Sequence, residues 1–157
     1  MRRFRQMLPG DEVVEILNSS WNGVLSLTDV DGEPYGVPLS FAFDGVDSIY
    51  FHSAMAGHKI ECMSVDDRAS FCVIAKDDIK PEEFTTYFKS VIARGRISIV
   101  CDKDEVMRGL HLLCDKYSPG VDSVDEIAKC INRVLVFKLK IISMTGKEAI
   151  ELTRMRK

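Results

Sequence analysis

The stretch YGVPLSFAFDGVDSIYFHS, residues 35–53, places two apolar segments on either side of a tight turn. The first segment alternates, so Leu39, Phe41 and Phe43 would share one face of a β-strand. An aspartate–glycine pair then supplies the residues that tight turns favour. The pattern predicts two antiparallel strands joined by a short turn. Pro38 lacks an amide hydrogen, which predicts a place at a sheet edge or at a break in the ladder.

Similar alternation recurs on both sides of this pair of strands, and few helices interrupt it. Further strands are predicted within residues 23–29, 69–75, 86–102 and 134–144. Gly95 would permit the longest of them to bend. The segment DDIKPEEF, residues 77–84, is predicted to be a loop or short turn. About six strands with short turns predict a mainly β (α+β) domain, a six-stranded antiparallel split β-barrel with a few flanking helices.

Helices are predicted at four places in the chain. Apolar spacing indicates one over residues 12–17, and another follows the strand that ends at Ser53. Two more begin with capping boxes, Asp102 with Glu105 and Ser123 with Glu126. Their predicted buried residues are Val106, Leu110, Leu113 and Tyr117 in the first, and Ile127 and Ile131 in the second.

Size and charge limit the classes of function that the chain could serve. Its 157 residues are expected to form a single domain, 1–157. The net charge of -3 argues against a nucleic-acid surface. No apolar run could span a bilayer and no signal-peptide pattern is present, so no membrane partner is expected. The basic ends, which include Arg154, Arg156 and Lys157 as well as Arg2, Arg3 and Arg5, are interpreted as solvated rather than as a phosphate-binding tail.

The five cysteines are odd in number and widely spaced, and no two form a CxxC pair. They are Cys62, Cys72, Cys101, Cys114 and Cys130. Free thiols fit this pattern best, with most acting as small core residues. A reducing cytoplasm is therefore the expected location.

The common catalytic motifs are absent from the sequence, but one phosphate-binding set is present. Ser53, Gly57, His58 and Lys59 lie where a predicted strand gives way to a helix. Backbone amides at a helix start, a hydroxyl and cationic side chains together suit a phosphate monoester. An ordinary turn with a solvated lysine would give the same residues, and on these residues alone it is the favoured interpretation.

Four segments taken in order resemble the FMN-binding split-barrel superfamily. They are GEPYGVPLSFAF (32–43), IYFHSAMAGHKIECM (49–63), TTYFKSVIARGRISIV (85–100) and ISMTGKEAI (142–150). More narrowly, the chain is similar to the pyridoxamine-phosphate-oxidase-like branch that includes Nim-type 5-nitroimidazole resistance reductases. This resemblance implies a homodimer with two FMN molecules bound between its subunits. The sequence gives a second reason to expect a subunit interface, since one small barrel interior would not easily hold the large apolar residues on both faces of the strands, such as Val37, Leu39, Phe41 and Phe43 against Phe51 and Val91.

The resemblance also implies which residues lie near the flavin. Val37, Pro38, Leu39 and Ser40 would lie beside the isoalloxazine ring, largely through their backbone. His52, Ser53 and Ala54 would run along the cofactor, with His58 and Lys59 at its phosphate. Tyr87, Ser90 and Val91 would approach the ring or the ribityl chain.

The expected function is an FMN-dependent oxidoreductase that reduces small, electron-poor, nitroimidazole-like molecules, with NAD(P)H or another electron donor. A non-catalytic flavin-binding module, such as a redox sensor or a flavin store, is the alternative from another class. The chain ends ELTRMRK, without the arginine-containing Leu-x-Pro ending of true pyridoxamine-phosphate oxidases, so vitamin B6 oxidation is a minor alternative. A haem-binding relative is another, with His52, His58 or His111 as conceivable ligands.

Overall fold

The computed structural model describes residues 4–156, which form five α-helices, two short 3₁₀ segments and seven β-strands. The helices are α1 (Gly10–Ser19), α2 (His58–Val65), α3 (Lys103–Tyr117), α4 (Val124–Cys130) and α5 (Ile150–Met155). The strands are β1 (Asn22–Thr28), β2 (Pro34–Ser40), β3 (Ala42–Phe43), β4 (Ser48–Ala54), β5 (Arg68–Lys80), β6 (Thr85–Ile99) and β7 (Val134–Glu148). The 3₁₀ segments are Phe4–Gln6 and Pro81–Glu83. Within residues 4–156, no helix combines the length and the apolar character needed to cross a membrane.

All seven strands belong to one antiparallel sheet in the order β2-β1-β5-β6-β7-β4-β3. Its two edge strands, β2 and β3, are consecutive in the chain and are separated only by Phe41. A sheet whose edges adjoin in sequence has to curve back on itself, so this sheet rolls into a barrel. Over residues 4–156 no ladder joins β2 to β3 or β4, and the barrel is therefore split along that line.

The predicted class, a mainly antiparallel β domain with flanking helices, is confirmed. There are seven strands rather than six because Phe41 interrupts the expected second strand and divides it into β2 and β3. Pro38 lies on an edge strand as predicted, because β2 pairs only with β1. Gly95 lies at a register shift between β6 and β7, where a Cβ atom would collide with the carbonyl oxygen of Lys140.

Two strands are longer than the sequence predicted. Residues 77–80, expected in a loop, belong to β5 and pair with β6, with Lys80 opposite Thr85. Both faces of this end of the hairpin are at least partly exposed. Its residues can therefore be polar although they form a strand. Strand β7 continues to Glu148, past the expected end at Met144.

One predicted capping box forms in part and the other does not form. The Asp102 side chain accepts a hydrogen bond from the Glu105 amide at 2.9 Å, as expected. Glu105 does not reach back, because its carboxylate accepts from Lys138 Nζ at 2.5 Å and from the Tyr50 hydroxyl at 2.8 Å. The Ser123 prediction is wrong: its side chain makes no cap bond and lies 3.5 Å from His111 Nδ1 instead.

The barrel interior is filled by aromatic rings from four strands and from the segment between β2 and β3. Phe51 stacks on Phe137 with centroids 5.1 Å apart, and Phe71 meets Phe41 edge-on at 4.8 Å. Leu110, Leu113 and Ile127 are buried as predicted, whereas Val106, Tyr117 and Ile131 are half-buried.

The apolar residues that led us to expect a subunit interface are accommodated within one chain. Phe41, Phe43, Phe51 and Val91 are buried in the barrel interior, and Val37 and Leu39 pack against it. A single barrel does hold them all, so this reason for expecting a dimer is wrong.

The last turn of α3 closes the seam of the barrel. The Tyr117 hydroxyl accepts a hydrogen bond from the Phe41 amide at 2.9 Å and lies 3.1 Å from the Phe41 carbonyl oxygen. It also contacts the Trp21 carbonyl oxygen just before β1. The Tyr117 hydroxyl therefore forms hydrogen bonds with the backbone at the point where the chain passes from one edge strand of the sheet to the other.

The carboxyl-terminal residues are docked, which corrects the interpretation of this end as solvated. Arg156 forms ion pairs with Glu12 and with the buried Glu148, the latter at 2.9 Å. The Arg156 guanidinium, with help from Lys89, lowers the pKa of Glu12 to about 2. The Arg156 side chain is 35% exposed, and Arg154 and, near the other end, Arg5 are exposed as well. Arg2, Arg3 and Lys157 lie outside the described residues.

Replacement of Tyr117 by phenylalanine tests the seam. The change removes the hydroxyl but keeps the ring, and it leaves the Phe41 amide without its partner. We expect the free energy of unfolding to fall by about 1–3 kcal/mol, measured by chemical denaturation. Tyr35→Phe is the matched control, with an expected change within about 0.5 kcal/mol. Equal denaturation midpoints for the two variants would rule out this role for Tyr117.

Candidate functional site

Most of the predicted flavin residues lie along the split in the barrel. Residues 37–40 are on β2, which pairs only with β1. Residues 52–54 end β4, whose pairing with β3 stops at Tyr50, so this part of β4 pairs only with β7. Two strand edges therefore offer backbone donors and acceptors on either side of the split.

The side chains of β2 alternate between the core and the solvent. Val37 and Leu39 are half-buried and pack against the barrel core, whereas Pro38 and Ser40 are exposed. A ligand at this edge would meet the backbone of all four residues and the side chains of only two. This agrees with the expectation that β2 contributes largely through its backbone.

Ser40 and His52 both line one cavity of about 360 Å³. Helices α3 and α4 provide most of the other walls. Their residues, with Val134 at the start of β7, are Leu110, Leu113, Cys114, Tyr117, Ser118, Glu126, Ile127 and Cys130. The cavity is therefore mainly apolar, with a few polar groups at its rim.

The sequence did not reveal these helical lining residues as part of a site. Leu110, Leu113 and Ile127 have the helical spacing of core residues, and the structure buries all three. Leu110 and Ile127 belong to a cluster with Tyr50 of β4 and Val136 of β7. The same face also lines the cavity, because α3 and α4 pack near the split. Helical periodicity identifies the inward face of a helix but not what lies opposite it.

The turn from β4 into α2 provides the predicted phosphate-binding groups. Gly57, with φ of 141°, precedes the helix in a conformation that side chains rarely adopt. The Ile60 amide bonds the Gly57 carbonyl oxygen at 2.8 Å. Lys59 is half-buried and forms no ion pair with any residue in 4–156, while the Ser53 hydroxyl donates to the Ala54 carbonyl oxygen.

His58, the other predicted phosphate contact, is held by carboxylates. Its Nε2 lies 2.9 Å from Asp29 Oδ2 and its Nδ1 lies 3.4 Å from Glu61 Oε2. The hydrogen bond with Asp29, and then that with Glu61, raises the pKa of His58. Direct contact with a phosphate stays a prediction. The partner Asp29 was missed because it is 29 positions away and only the fold brings it near.

The three predicted residues of β6 are not brought to the cavity. Val91 is fully buried in the core, and the Tyr87 hydroxyl donates to Glu83 at 2.8 Å. Ser90 is half-buried and pairs with Ile74 of β5 and Lys147 of β7. Strand β6 is central in the sheet, with β5 or β7 between it and the strands that flank the split. Their contact with a flavin stays a prediction.

Comparison with known protein families gives one decisive match. Residues 9–148 match the family described as pyridoxamine 5'-phosphate oxidase. The chain belongs to this family. The match covers the whole barrel and the split, which confirms the resemblance noted from the sequence. No curated protein matches the sequence.

Solved structures share the fold at low sequence identity. A proposed 5-nitroimidazole antibiotic resistance protein from Bacteroides thetaiotaomicron is 22% identical, with a TM-score of 0.80 over 90% of this chain and 86% of that one. A flavocytochrome from Azotobacter vinelandii is 22% identical, with a TM-score of 0.76 over 95% and 72% of the two chains. An FAD-binding protein from Mesorhizobium loti is 26% identical, with a TM-score of 0.67 over 92% and 97%.

Proposed function

We propose that the protein is a flavin-dependent oxidoreductase that binds FMN along the split in its barrel. The observation that carries the proposal is the cavity that Ser40 and His52 both line, since Ser40 ends β2 and His52 lies near the end of β4, where each strand has an unpaired edge. Family membership and structural neighbours described as FAD-binding or as a flavocytochrome support a flavin. The donor chemistry fits as well, since the split offers backbone groups for a ring and α2 offers a lysine for a phosphate.

FMN rather than FAD is the proposed form of the cofactor. The resemblance implies FMN, and the phosphate-binding groups at α2 are suited to one terminal phosphate monoester. Because a solved structure of the same fold is described as FAD-binding, the identity of the bound flavin is to be measured directly. Release of the bound flavin and its separation by chromatography would distinguish the two.

The chain's own residues would position the reactants and exclude water. The edges of β2 and β4 hold a planar ring by backbone hydrogen bonds, and Lys59 holds the phosphate. Leu110, Leu113 and Ile127 give the cavity a dry wall against which a second flat molecule can lie. When bound, the flavin supplies the capacity to accept a hydride and to pass on one or two electrons.

The proposed substrate is a small, flat, electron-poor molecule such as a nitroimidazole, with NAD(P)H as the electron donor. A cavity of about 360 Å³ has room for a molecule of this size. His52 and Ser40 lie at its wall, where they can donate hydrogen bonds to a polar substituent. The resemblance to Nim-type reductases supports the nitro group as that substituent.

We further propose that two chains form a homodimer through the outward face of the sheet. Pro38, Val24, Cys72 and Ile92 are successive cross-strand partners on β2, β1, β5 and β6. Val24 and Ile92 are 41% and 40% exposed, and Ile74 nearby on β5 is 66% exposed. Such an apolar row is unusual on a free surface. Because it includes Pro38, the row is continuous with the proposed flavin edge.

Lys59→Glu tests the phosphate site. The variant loses a charge-assisted contact and gains repulsion, so we expect flavin affinity to fall about a hundredfold. Flavin content after purification and titration of the apoprotein with FMN measure this. Lys103→Glu, on the exposed start of α3, is the control and should bind as the wild type does. Full flavin occupancy in Lys59→Glu would show that the assignment is wrong.

Ile92→Arg tests the homodimer. A buried arginine without a partner would be costly, so we expect this variant to be a monomer at concentrations where the wild type is a dimer. Analytical ultracentrifugation at micromolar concentration measures the mass. Val46→Glu, a 75%-exposed position in the turn before β4, is the control. A wild-type monomer that retains FMN would contradict the proposed interface.

Electron transfer to a nitroimidazole tests the function itself. The protein is reduced chemically without oxygen and a nitroimidazole is added in an amount well below that of the reduced flavin, because each flavin supplies two electrons and the amine requires six. Flavin reoxidation and the reduced products of the nitro group are followed together. We expect slow reoxidation, slowed further in His52→Ala and unchanged in the control His111→Ala. Reoxidation by oxygen but never by the nitro compound would exclude nitro reduction. A flavin that no donor reduces and no acceptor reoxidises would favour the non-catalytic flavin-binding module.

A further inference from the structure

We propose that Asp29, His58 and Cys62 form a binding site for one divalent metal ion of the zinc class. The three side chains each present a ligand atom, and these atoms all lie within 4.8 Å of one another. The inference goes beyond the proposed function. None of these residues lines the cavity, and His58, which is also a predicted phosphate contact, is already engaged by Asp29 and Glu61.

The backbone fixes where the three ligands converge. His58 and Cys62 are four residues apart on α2, so their side chains lie on the same face of the helix. Asp29 directly follows β1. Bond lengths of about 2.0–2.3 Å place the ligand atoms of a tetrahedral zinc site roughly 3–4 Å apart. Asp29 Oδ2 and His58 Nε2 are already 2.9 Å apart, so small side-chain rotations would complete the geometry.

The histidine ring is oriented as in known metal sites. Its Nε2 faces Asp29, while its Nδ1 faces the Glu61 carboxylate at 3.4 Å. Metal-binding histidines commonly donate their second ring N–H to a carboxylate in this way. The Tyr35 ring packs edge-on against the imidazole, with centroids 4.8 Å apart. His58 is therefore held from three sides with Nε2 pointing toward the site.

The aspartate is oriented as well. Its Oδ1 accepts a hydrogen bond from the Val30 amide at 2.5 Å, which leaves Oδ2 to face the histidine. Its side chain is 24% exposed and that of His58 is 43% exposed, so the site opens to solvent on one side. A water molecule can thus supply a fourth ligand.

The donor set selects the class of metal. A thiolate and an imidazole favour zinc and similar ions over magnesium and calcium, which prefer oxygen ligands. Cys62 is fully buried and would bind as the thiolate, releasing its proton on binding. Thiolate and carboxylate together then neutralise the two charges of the ion, which makes a partly buried site electrostatically acceptable.

Titration of the purified protein with Co²⁺ tests the site, with whatever flavin it carries. We expect one equivalent per chain to give the absorption bands of a four-coordinate, thiolate-bound cobalt ion, beyond the wavelengths at which flavin absorbs. Zn²⁺ should displace it stoichiometrically. No such bands in the folded wild type would show that Asp29 and His58 form only an ion pair above a core cysteine.

Variants identify the ligands. His58→Ala changes an exposed residue and should weaken cobalt binding by more than about a hundredfold, whereas Glu61→Gln should weaken it about tenfold. Cys62→Ala should abolish the thiolate band, and circular dichroism checks that this buried variant folds. His111→Ala and Cys101→Ser should leave the titration unchanged. Undiminished binding in His58→Ala would overturn the proposal. Cobalt spectra and flavin content are independent measurements, so each proposal can fail alone.

Discussion

The fold depends on how the backbone of Phe41 is satisfied. At this residue the chain leaves β2, one edge of the sheet, and enters β3, the other edge. Phe41 is fully buried, so its backbone amide and carbonyl groups need partners, and no neighbouring strand supplies them. The Tyr117 hydroxyl provides these partners, at 2.9 Å from the amide and 3.1 Å from the carbonyl oxygen.

Lys116 adds a second contact, with its Nζ 3.8 Å from the centre of the Phe41 ring and 3.1 Å from the Leu17 carbonyl oxygen. Burial lowers the pKa of Lys116 to about 8, which shows how far this ammonium is withdrawn from water.

The same constraint creates the candidate site. Because Tyr117 anchors the end of α3 at the seam, the helix lies over the end of β4 instead of packing elsewhere on the barrel. The cavity beside the split between β2 and β4 is therefore walled by α3 and α4. A barrel that closed fully at Phe41 would have no unpaired strand edges, and one without α3 would have edges but no cavity. Stability and binding thus share one structural feature, the termination of β2 at Ser40.

Local patterns in the sequence predicted the elements well and the connections between distant elements poorly. Strand β1 alternates regularly between buried and exposed residues, and that period of two is visible without a structure. The polar residues 77–80 were misjudged because a hairpin exposed on both faces has the composition of a loop. The Ser123 capping box did not form. A local motif shows only which hydrogen bonds a side chain could make, and the fold places His111 near the Ser123 hydroxyl instead.

The pairs Asp29–His58 and Glu12–Arg156 join residues 29 and 144 positions apart, and no local pattern contains that information. Four segments in order were enough for the family, since the barrel imposes their spacing on any member.

The first turn of α2 shows how one short segment can serve two chemistries. His58 and Lys59 are adjacent, so their side chains leave the helix about 100° apart. Asp29 and Glu61 hold His58 on one side, which ties the start of α2 to the end of β1. Lys59 has no ion-pair partner within residues 4–156, and the tether on its neighbour fixes the direction in which the helix amides and the ammonium point. A lysine on an unanchored helix would have to be ordered when an anion binds, at a cost in entropy that weakens binding. Here the pairing of His58 with carboxylates supplies that order in advance. The carboxylates at His58 and the lysine at position 59 are therefore compatible, since the carboxylates orient the helix and the lysine would meet the proposed phosphate.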